Sequence, residues 1–150
     1  MPDALQNKVA IVTGAGRGIG AATAKLFARE GGMIVLASRS ENEVQAVTEE
    51  INRQFKQRRA IAVCTDVSKE HDVKRLFEVA DVSFGCHDIL VNSAGIVEVQ
   101  NFIDMDLKTW EDVMGINVRG TFLCCREAFR HMVNHGKGGT IINMTSLAGV

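Results

Sequence analysis

Residues 9–20 read VAIVTGAGRGIG, an apolar run followed at once by a glycine-rich turn. The apolar run is continuous rather than alternating, which is typical of a parallel strand that is covered on both faces. A helix from Ile19 to Glu30 is expected to follow the turn. A diphosphate binds well at such a place, because the free N–H groups and the dipole of the helix N-terminus favour negative charge. These residues therefore predict a strand–turn–helix unit that binds a nucleotide.

Three glycines of this turn have separate physical tasks. Gly14 permits the sharp exit from the strand, Gly18 lets the backbone approach the phosphates, and Gly20 lets the helix pack closely on the strand. Arg17 and Ile19 lie between them and are expected to contact the same ligand. The alternative is a glycine-rich loop without a ligand, but the strand before it and the helix after it favour nucleotide binding.

Short apolar runs alternate with longer amphipathic stretches along the whole chain. The predicted strands are Val9–Thr13, Met33–Ser38, Ala60–Cys64, Ile89–Asn92 and Thr140–Thr145. The predicted helices are Ile19–Glu30, Glu41–Phe55, Lys69–Phe84 and Leu107–His135. Gly31 is expected to end the first helix, and Ser40 and Ser68 are expected to cap the next two, with Glu41 and Glu43 in a first turn. The pattern predicts an α/β fold over residues 1–150, a doubly wound, Rossmann-like parallel sheet with strand order 3-2-1-4-5.

Composition excludes several classes of function. The net charge is −1 and the 17 Lys and Arg residues are scattered, so no nucleic-acid partner is expected. No apolar run reaches the roughly 18 residues of a membrane span. The N-terminus lacks an apolar signal region, and none of the four cysteines forms a C-x-x-C pair. A cytoplasmic protein with reduced thiols is therefore expected.

The long predicted helix carries many apolar residues. Those at core spacing are Trp110, Val113, Met114, Val118, Phe122, Cys125, Phe129 and Met132. Ile116, Leu123 and Val133 lie off that stripe and predict a second apolar face, which could pack against another subunit of a homo-oligomer. His131 and His135 stand four residues apart, as zinc ligands can. No metal site is expected, because the pattern lacks the H-E-x-x-H glutamate and shows no third ligand.

The T-G-x-x-x-G-x-G spacing of residues 13–20 resembles the cofactor motif of short-chain dehydrogenases/reductases. Asp66 and Val67 follow the third strand, where the family has an aspartate against the adenine and a residue lining its pocket. Residues 92–95 read NSAG and resemble the family's N-N-A-G, with Ser93 as a departure. Asn117 matches the family's helical asparagine, and residues 143–149, NMTSLAG, resemble the segment of the catalytic serine.

The resemblance assigns roles to these residues. Ser146 would hydrogen-bond the substrate oxygen, and Asn117 would hold a water in the proton relay. The residues Asn92, Ala94 and Gly95 would bind the cofactor together with the glycine turn. Each residue taken singly also admits a structural role: Asp66 could cap the third helix, and Asn92 could bond neighbouring backbone.

The implied activity is that of an oxidoreductase, which moves a hydride between a nicotinamide cofactor and a small carbonyl or alcohol substrate. The family's catalytic tyrosine and lysine follow the serine segment, and this chain contains no tyrosine. The domain is therefore expected to be incomplete at its C-terminus and inactive as it stands. A second hypothesis is a dinucleotide-binding module without turnover. A third is an epimerase or dehydratase, against which the glycine spacing argues.

The end of the second strand predicts NADP(H) rather than NAD(H). An acidic residue about 20 positions past the glycines would bind the ribose 2′-hydroxyl, whereas an arginine accommodates a 2′-phosphate. This chain has Ser38 and Arg39 there, with no carboxylate before Glu41. Arg17 in the glycine turn could add a second cation.

Overall fold

The computed structural model describes residues 3–147. The strands are β1 (Val9–Thr13), β2 (Met33–Ser38), β3 (Ala60–Cys64), β4 (Ile89–Asn92) and β5 (Thr140–Asn143). The helices are α1 (Gly18–Arg29), α2 (Glu41–Phe55), α3 (Glu70–Phe84), α4 (Leu107–Met114) and α5 (Thr121–Asn134). A 3₁₀ turn covers Phe102–Asp104, and a π-helical turn, Gly115–Gly120, joins α4 to α5.

The five strands form one parallel sheet in the order β3-β2-β1-β4-β5, as predicted. Their carboxyl ends are in register at one edge: Thr13 is opposite both Ala37 and Asn92, and Asn92 is opposite Asn143. The doubly wound fold is confirmed. In such a fold, ligands bind beyond this edge of the sheet.

Each face of the sheet is covered by its own core. Alanines of α1, among them Ala24 and Ala28, pack with Val44 of α2 on one face. On the other face, Phe77 of α3 packs with Leu123 of α5. All five residues of β1 are buried, which explains the unbroken apolar run in the sequence.

The helix predicted from Leu107 to His135 is interrupted at the π-helical turn. This turn contains Asn117 and ends at Gly120. A Cβ at Gly120 would lie 2.7 Å from Val67 Cγ2, so glycine is needed for the close approach of this turn to the segment after β3. Periodicity does not reveal a π-helical turn, because one extra residue in a turn leaves the helical pattern on either side intact.

Several predicted boundaries and caps differ from the structure. The last strand ends at Asn143 rather than Thr145, α1 begins one residue earlier at Gly18, and α3 begins one residue later at Glu70. The N-cap of α3 is Lys69 rather than Ser68, whose side chain bonds Asp66 instead. Ser40 does precede α2, but its side chain makes no capping hydrogen bond.

The predicted core stripe of the long helix is wrong for its largest residues. Trp110, Phe122 and Phe129 are half or more exposed. The buried face of α5 consists instead of smaller residues such as Cys124 and Ala128. Small side chains let α5 approach α3 and β4 closely, so the aromatic side chains point away from the sheet.

No helix within residues 3–147 combines the length and apolar character needed to cross a bilayer. The cysteines at positions 64, 86, 124 and 125 are all free thiols. Burial raises the pKa of the Cys124 thiol to about 12, with nearby Cys125 and Glu127 adding to the effect. Cys124 is therefore protonated at neutral pH and serves as a small core residue.

Candidate active site

A cleft of about 970 Å³ opens at the carboxyl edge of the sheet. The glycine turn, the end of β2, the segment after β4, the π-helical turn and the segment after β5 form its walls. All the predicted site residues except Gly18 and Asp66 line this cleft. The fold therefore brings together residues that are up to 132 positions apart, from Gly14 to Ser146.

The glycines of the turn meet different surroundings. Gly14 has φ +64°, and a Cβ there would lie 2.8 Å from the Ala94 backbone. A Cβ at Gly20 would overlap the carbonyl oxygen of Gly14. Gly18 has φ +57°, yet a Cβ there would meet no protein atom within 4 Å. Packing thus accounts for Gly14 and Gly20, whereas Gly18 faces space that no protein atom fills.

The N-terminus of α1 has the features of an anion site. Its N-cap, Arg17, makes no side-chain capping bond, and its first turn contains no acidic residue. The first N–H groups of a helix lack partners within the helix and are available to a ligand. Both Arg17 and Arg39 are exposed, and over residues 3–147 neither guanidinium forms a hydrogen bond or an ion pair.

Thr13 fixes the segment after β4 against the glycine turn. Its hydroxyl oxygen accepts hydrogen bonds from the backbone N–H groups of Ser93 and Ala94, each at 3.2 Å. Sequence reasoning used Thr13 only as part of the motif and did not assign it this contact. A threonine directly before the glycines was the signal available, because a hydroxyl at a strand end can bond backbone of the neighbouring strand.

Asn92 is buried at the end of β4. Its Nδ2 donates to Asn143 Oδ1 at 2.8 Å and to Cys125 Sγ at 3.3 Å, which joins β4 to β5 and α5. Its Oδ1 is buried without a hydrogen-bond partner in the described part of the chain. The expected alternative was that Asn92 bonds neighbouring backbone, but its side chain bonds the side chains of Asn143 and Cys125 instead, and one acceptor remains unused in the described chain.

Asp66 closes the turn before α3. One carboxylate oxygen accepts hydrogen bonds from the Ser68 hydroxyl at 2.7 Å and from the Ser68 N–H at 3.0 Å. Burial works against the charged form of Asp66. The bonds from Ser68 and the nearby Lys69 and Arg39 outweigh it, so the pKa of Asp66 is lowered. The expected alternative, in which Asp66 caps α3, is not what the structure shows, because the N-cap is Lys69 without a side-chain capping bond and Asp66 bonds Ser68 instead. Its neighbour Val67 lines the cleft.

Asn117 and Ser146 line the same cleft as the glycine turn. Asn117 Oδ1 accepts from the Ile96 N–H at 2.9 Å, and its Nδ2 donates to the Ile96 carbonyl at 2.8 Å. This reciprocal pair holds the segment after β4 against the π-helical turn, a type of element that is frequent at functional sites. Ser146 lies three residues beyond β5 and lines the same cleft.

Sequence reasoning missed two charged residues of the cleft, Glu43 and Glu98. A Cβ placed at Gly16 would lie 3.2 Å from Glu43 Oε2 and 3.1 Å from Ser38 Oγ. The carboxylate thus lies beside the glycine turn and the end of β2. In the sequence, Glu43 was interpreted only as an acidic residue of a helix first turn, because its side-chain direction depends on how α2 packs.

The geometry agrees with a comparison of the sequence with family models. The model described as short chain dehydrogenase matches residues 8–150. The chain belongs to the short-chain dehydrogenase family. The family resemblance predicted from the glycine spacing is therefore confirmed.

Curated relatives of this short-chain dehydrogenase have oxidoreductase names. An uncharacterized oxidoreductase of Thermotoga maritima is 39% identical over 145 residues, covering 95% of this chain and 54% of the relative. Uncharacterized oxidoreductase SAR2567 of Staphylococcus aureus is 36% identical, covering 97% and 61%. YuxG of Bacillus subtilis, also an uncharacterized oxidoreductase, is 40% identical, covering 90% and 20%. The chain thus spans between a fifth and about three fifths of these relatives.

A solved structure agrees with the fold of this short-chain dehydrogenase. The crystal structure of a short-chain type dehydrogenase/reductase from Mycobacterium marinum superimposes with a TM-score of 0.92 at 36% identity. The match covers 97% of this chain and 58% of that one.

The residues present fit the nicotinamide dinucleotide that this family implies. The open space at Gly18, the uncapped N-terminus of α1 and the free guanidinium of Arg17 suit a diphosphate. The cleft volume lies at the upper end of the roughly 300–1,000 Å³ of small-molecule sites.

Proposed function

We propose that the protein is an oxidoreductase that interconverts a carbonyl and an alcohol with NADP(H). The observation that carries the proposal is the arrangement of the cleft. The glycine turn, which has open space at Gly18, belongs to the same cleft as Asn117 and Ser146. A nicotinamide ring supplies the hydride chemistry when bound, and the protein supplies binding, orientation and polarisation.

Each predicted site residue has a task within this proposal. The α1 N-terminus and Arg17 bind the diphosphate, while Ser38 and Arg39 lie at the ribose. Asp66 and Val67 lie toward the adenine. Asn92, Ala94 and Gly95 hold the cofactor from the side of β4, and Ile19 lies against it in the glycine turn.

On the substrate side, the Ser146 hydroxyl donates a hydrogen bond to the reacting oxygen and polarises it. Asn117 keeps the Ile96 segment in place with its side chain. Its backbone carbonyl accepts a bond from Thr121 Oγ1 and has a second lone pair for the proposed relay water. The general acid of the family is a tyrosine assisted by a lysine. Because the chain contains no tyrosine, residues 1–150 alone are proposed to lack turnover.

NADP(H) is preferred in this proposal because Arg39 supplies a free cation beside Ser38, where a 2′-phosphate would lie. Glu43 opposes this preference, since its carboxylate lies close to Ser38. We favour the cation because the Arg39 guanidinium is exposed and makes no hydrogen bond or ion pair over residues 3–147.

We further propose a single dinucleotide-binding domain over residues 1–150, a homo-oligomer, and a reducing cytoplasmic location. The exposed Trp110, Phe122 and Phe129 support the oligomer, because a monomer would leave these apolar side chains exposed to solvent. The four free thiols suit a reducing compartment. Light scattering on the full-length protein tests the oligomer, and a monomer at micromolar concentration would contradict it.

The test of the activity is an assay of NADPH oxidation by the full-length protein with a panel of ketones and aldehydes. Ser146→Ala is expected to lower kcat by about 10²–10³-fold, as losing one donor to a reacting oxygen does. Ser93→Ala, also in the cleft, is the matched control and should keep most of the rate. The second candidate is a non-catalytic dinucleotide-binding module, and the lack of a tyrosine in this chain supports it. Cofactor binding without any turnover would favour this candidate.

A further inference from the structure

A group of imidazole and carboxylate side chains lies at the opposite edge of the sheet, where the strands begin. Asp81 belongs to α3, His87 precedes β4, and His131 lies in the last turn of α5. One ligand atom from each of these residues lies within 4.8 Å of the other two. His135 follows α5, and its Nε2 is 3.5 Å from Asp81 Oδ2. We call these four residues the histidine cluster.

His87 is the residue of the cluster that most clearly indicates a missing ligand, because it is buried without a hydrogen-bond partner in the described chain. Its side chain is 1% exposed, and over residues 3–147 neither of its ring nitrogens has a hydrogen-bond partner. Asp81 Oδ1 is likewise buried without a partner in the described chain. Burying polar atoms without partners destabilises a fold, so native structures rarely concentrate them at one place.

The contacts within the cluster leave these atoms unsatisfied. Asp81 Oδ2 already pairs with His131 Nδ1 at 2.7 Å, which uses the other carboxylate oxygen. The ring of Phe77 packs edge-on against His87 and also against His131, so apolar surface covers one side of the cluster. A bound cation would accept a lone pair from one ring nitrogen of His87 and from Asp81 Oδ1, which both lack a hydrogen-bond partner in the described chain.

We propose that Asp81, His87 and His131 bind one Zn²⁺ ion, or a divalent transition-metal ion of similar preference, with His135 placed to complete the coordination. Imidazole nitrogens and a carboxylate oxygen are the donors that such ions select. Tetrahedral Zn²⁺ bonds of about 2.0–2.2 Å place ligand atoms roughly 3.3 Å apart. The three ligand atoms lie within 4.8 Å of one another, so binding requires them to approach by at most about 1.5 Å.

This site is structural rather than catalytic. It joins α3, α5 and the start of β4 and lies at the far edge of the sheet from the cleft. The sequence showed only the pair on α5. The other two ligands were not evident from the sequence, because Asp81 is 50 residues from His131 and His87 lies just before a different element, β4.

The test is a Zn²⁺ titration of the full-length protein, prepared without a polyhistidine tag and stripped of metal with a chelator. Calorimetry in competition with a weaker chelator is expected to show one equivalent of Zn²⁺ bound and a higher Tm in its presence. Replacement by Co²⁺ should give visible absorption bands typical of tetrahedral coordination. A Zn²⁺ concentration of about 100 μM is far above the dissociation constants of structural zinc sites, so absence of binding at this concentration would overturn the proposal.

Variants assign the binding to the cluster. Loss of a group that only hydrogen-bonds to a metal ligand typically lowers metal affinity by roughly 10–100-fold. Because His87→Leu and Asp81→Asn remove ligands themselves, each should weaken Zn²⁺ binding by at least that factor. His71→Ala is the matched control, because the His71 side chain is 80% exposed and lies outside the cluster. The Asp81→Asn substitution preserves the shape of the side chain and is the variant to use if His87→Leu does not fold. Circular dichroism checks that it is folded. Unchanged Zn²⁺ affinity in the folded Asp81→Asn protein would overturn the proposal.

Discussion

At the scale of a single residue, we propose that Arg39 favours NADP(H) over NAD(H). Its guanidinium makes no hydrogen bond or ion pair over residues 3–147, although its charge helps to lower the pKa of Asp66, so it is available to a 2′-phosphate. Replacing Arg39 by alanine is expected to weaken NADPH binding by about 10–100-fold, the effect of a charge-assisted hydrogen bond. NADH binding should barely change. Fluorescence titration of both cofactors against the full-length protein measures the two affinities.

Arg29→Ala provides the control for this prediction, because Arg29 is an exposed arginine in the last turn of α1, away from the cleft. Its NADPH affinity should equal that of the unmodified protein. The preference for NADP(H) is wrong if the unmodified protein binds NADH as tightly as NADPH, or if Arg39→Ala weakens the two cofactors equally.

The Ser68 hydroxyl is expected to control how acid destabilises the fold. It helps to hold the folded pKa of Asp66 below its unfolded value. A carboxyl with a depressed folded pKa stabilises the protein above its unfolded pKa, near 3.9, and this contribution is lost as pH falls through the folded pKa. Ser68→Ala should therefore reduce the difference in unfolding free energy between about pH 7 and pH 3.

Urea unfolding at both pH values measures this difference. Ser83→Ala is the matched control, since Ser83 lies in α3 and its side chain makes no hydrogen bond in the described structure. An acid dependence of Ser68→Ala identical to that of the unmodified protein would show that the hydroxyl does not act through Asp66.

Sequence reasoning at this scale worked where backbone geometry dictates the residue. Gly14 and Gly20 meet the close contacts expected of them. It failed where a side chain's direction depends on packing. Glu43 points into the cleft only because α2 lies as it does, and the Asn117 amide reaches Ile96 only because a π-helical turn presents it. Spacing along the chain contains no such information.

At the scale of elements, the central strands depend on burial. Leu36 of β2 is fully buried, and its side chain packs with α1 and α2 in the core of one face. Leu36→Ala should lower the free energy of unfolding by about 2–5 kcal/mol, because it removes buried methyl groups and leaves a cavity.

Leu26→Ala is the control, since the Leu26 side chain on α1 is 46% exposed and its loss should cost much less. Chemical denaturation of the full-length protein compares the two variants. Equal losses of stability would contradict the assignment of β2 to a tightly packed core.

Strands β1 to β4 were predictable because most of their residues are buried, which leaves nearly continuous apolar runs in the sequence. β5 was predictable from its apolar residues Ile141 and Ile142, although most of this strand is exposed in the described structure. The face of α5 was not predictable in the same way. Apolar residues occur on two sides of this helix, and periodicity cannot decide which side meets the sheet. Packing decided it, since Cys124 and Ala128 allow a closer approach than Phe122 and Phe129 do.

At the scale of the whole molecule, residues 1–150 alone are expected to show no dehydrogenase activity. Without a tyrosine they lack the family's proton donor, a loss of about 10²–10⁴-fold in rate by itself. In this chain β5 also forms an edge of the sheet, which exposes strand backbone to aggregation. An assay of NADPH oxidation compares residues 1–150 with the full-length protein, and comparable turnover by both would show that the assigned roles are wrong.

The central claim is that the glycine turn and the N-terminus of α1 hold the cofactor. Gly18 and Gly136 offer a matched pair, because they have φ of +57° and +62° and a Cβ at either would meet no protein atom within 4 Å. Alanine should therefore strain the backbone similarly at both positions. Gly18 borders the cleft, whereas Gly136 follows α5 at the other edge of the sheet.

The most direct measurement is a calorimetric titration of NADPH into the full-length protein and these two variants. The unmodified protein and Gly136→Ala should bind one NADPH per chain with the same affinity. Gly18→Ala should weaken binding by at least about 10-fold, since its methyl group occupies the space of the diphosphate. Equal NADPH affinity for all three proteins, or no binding by the unmodified protein, would contradict the account.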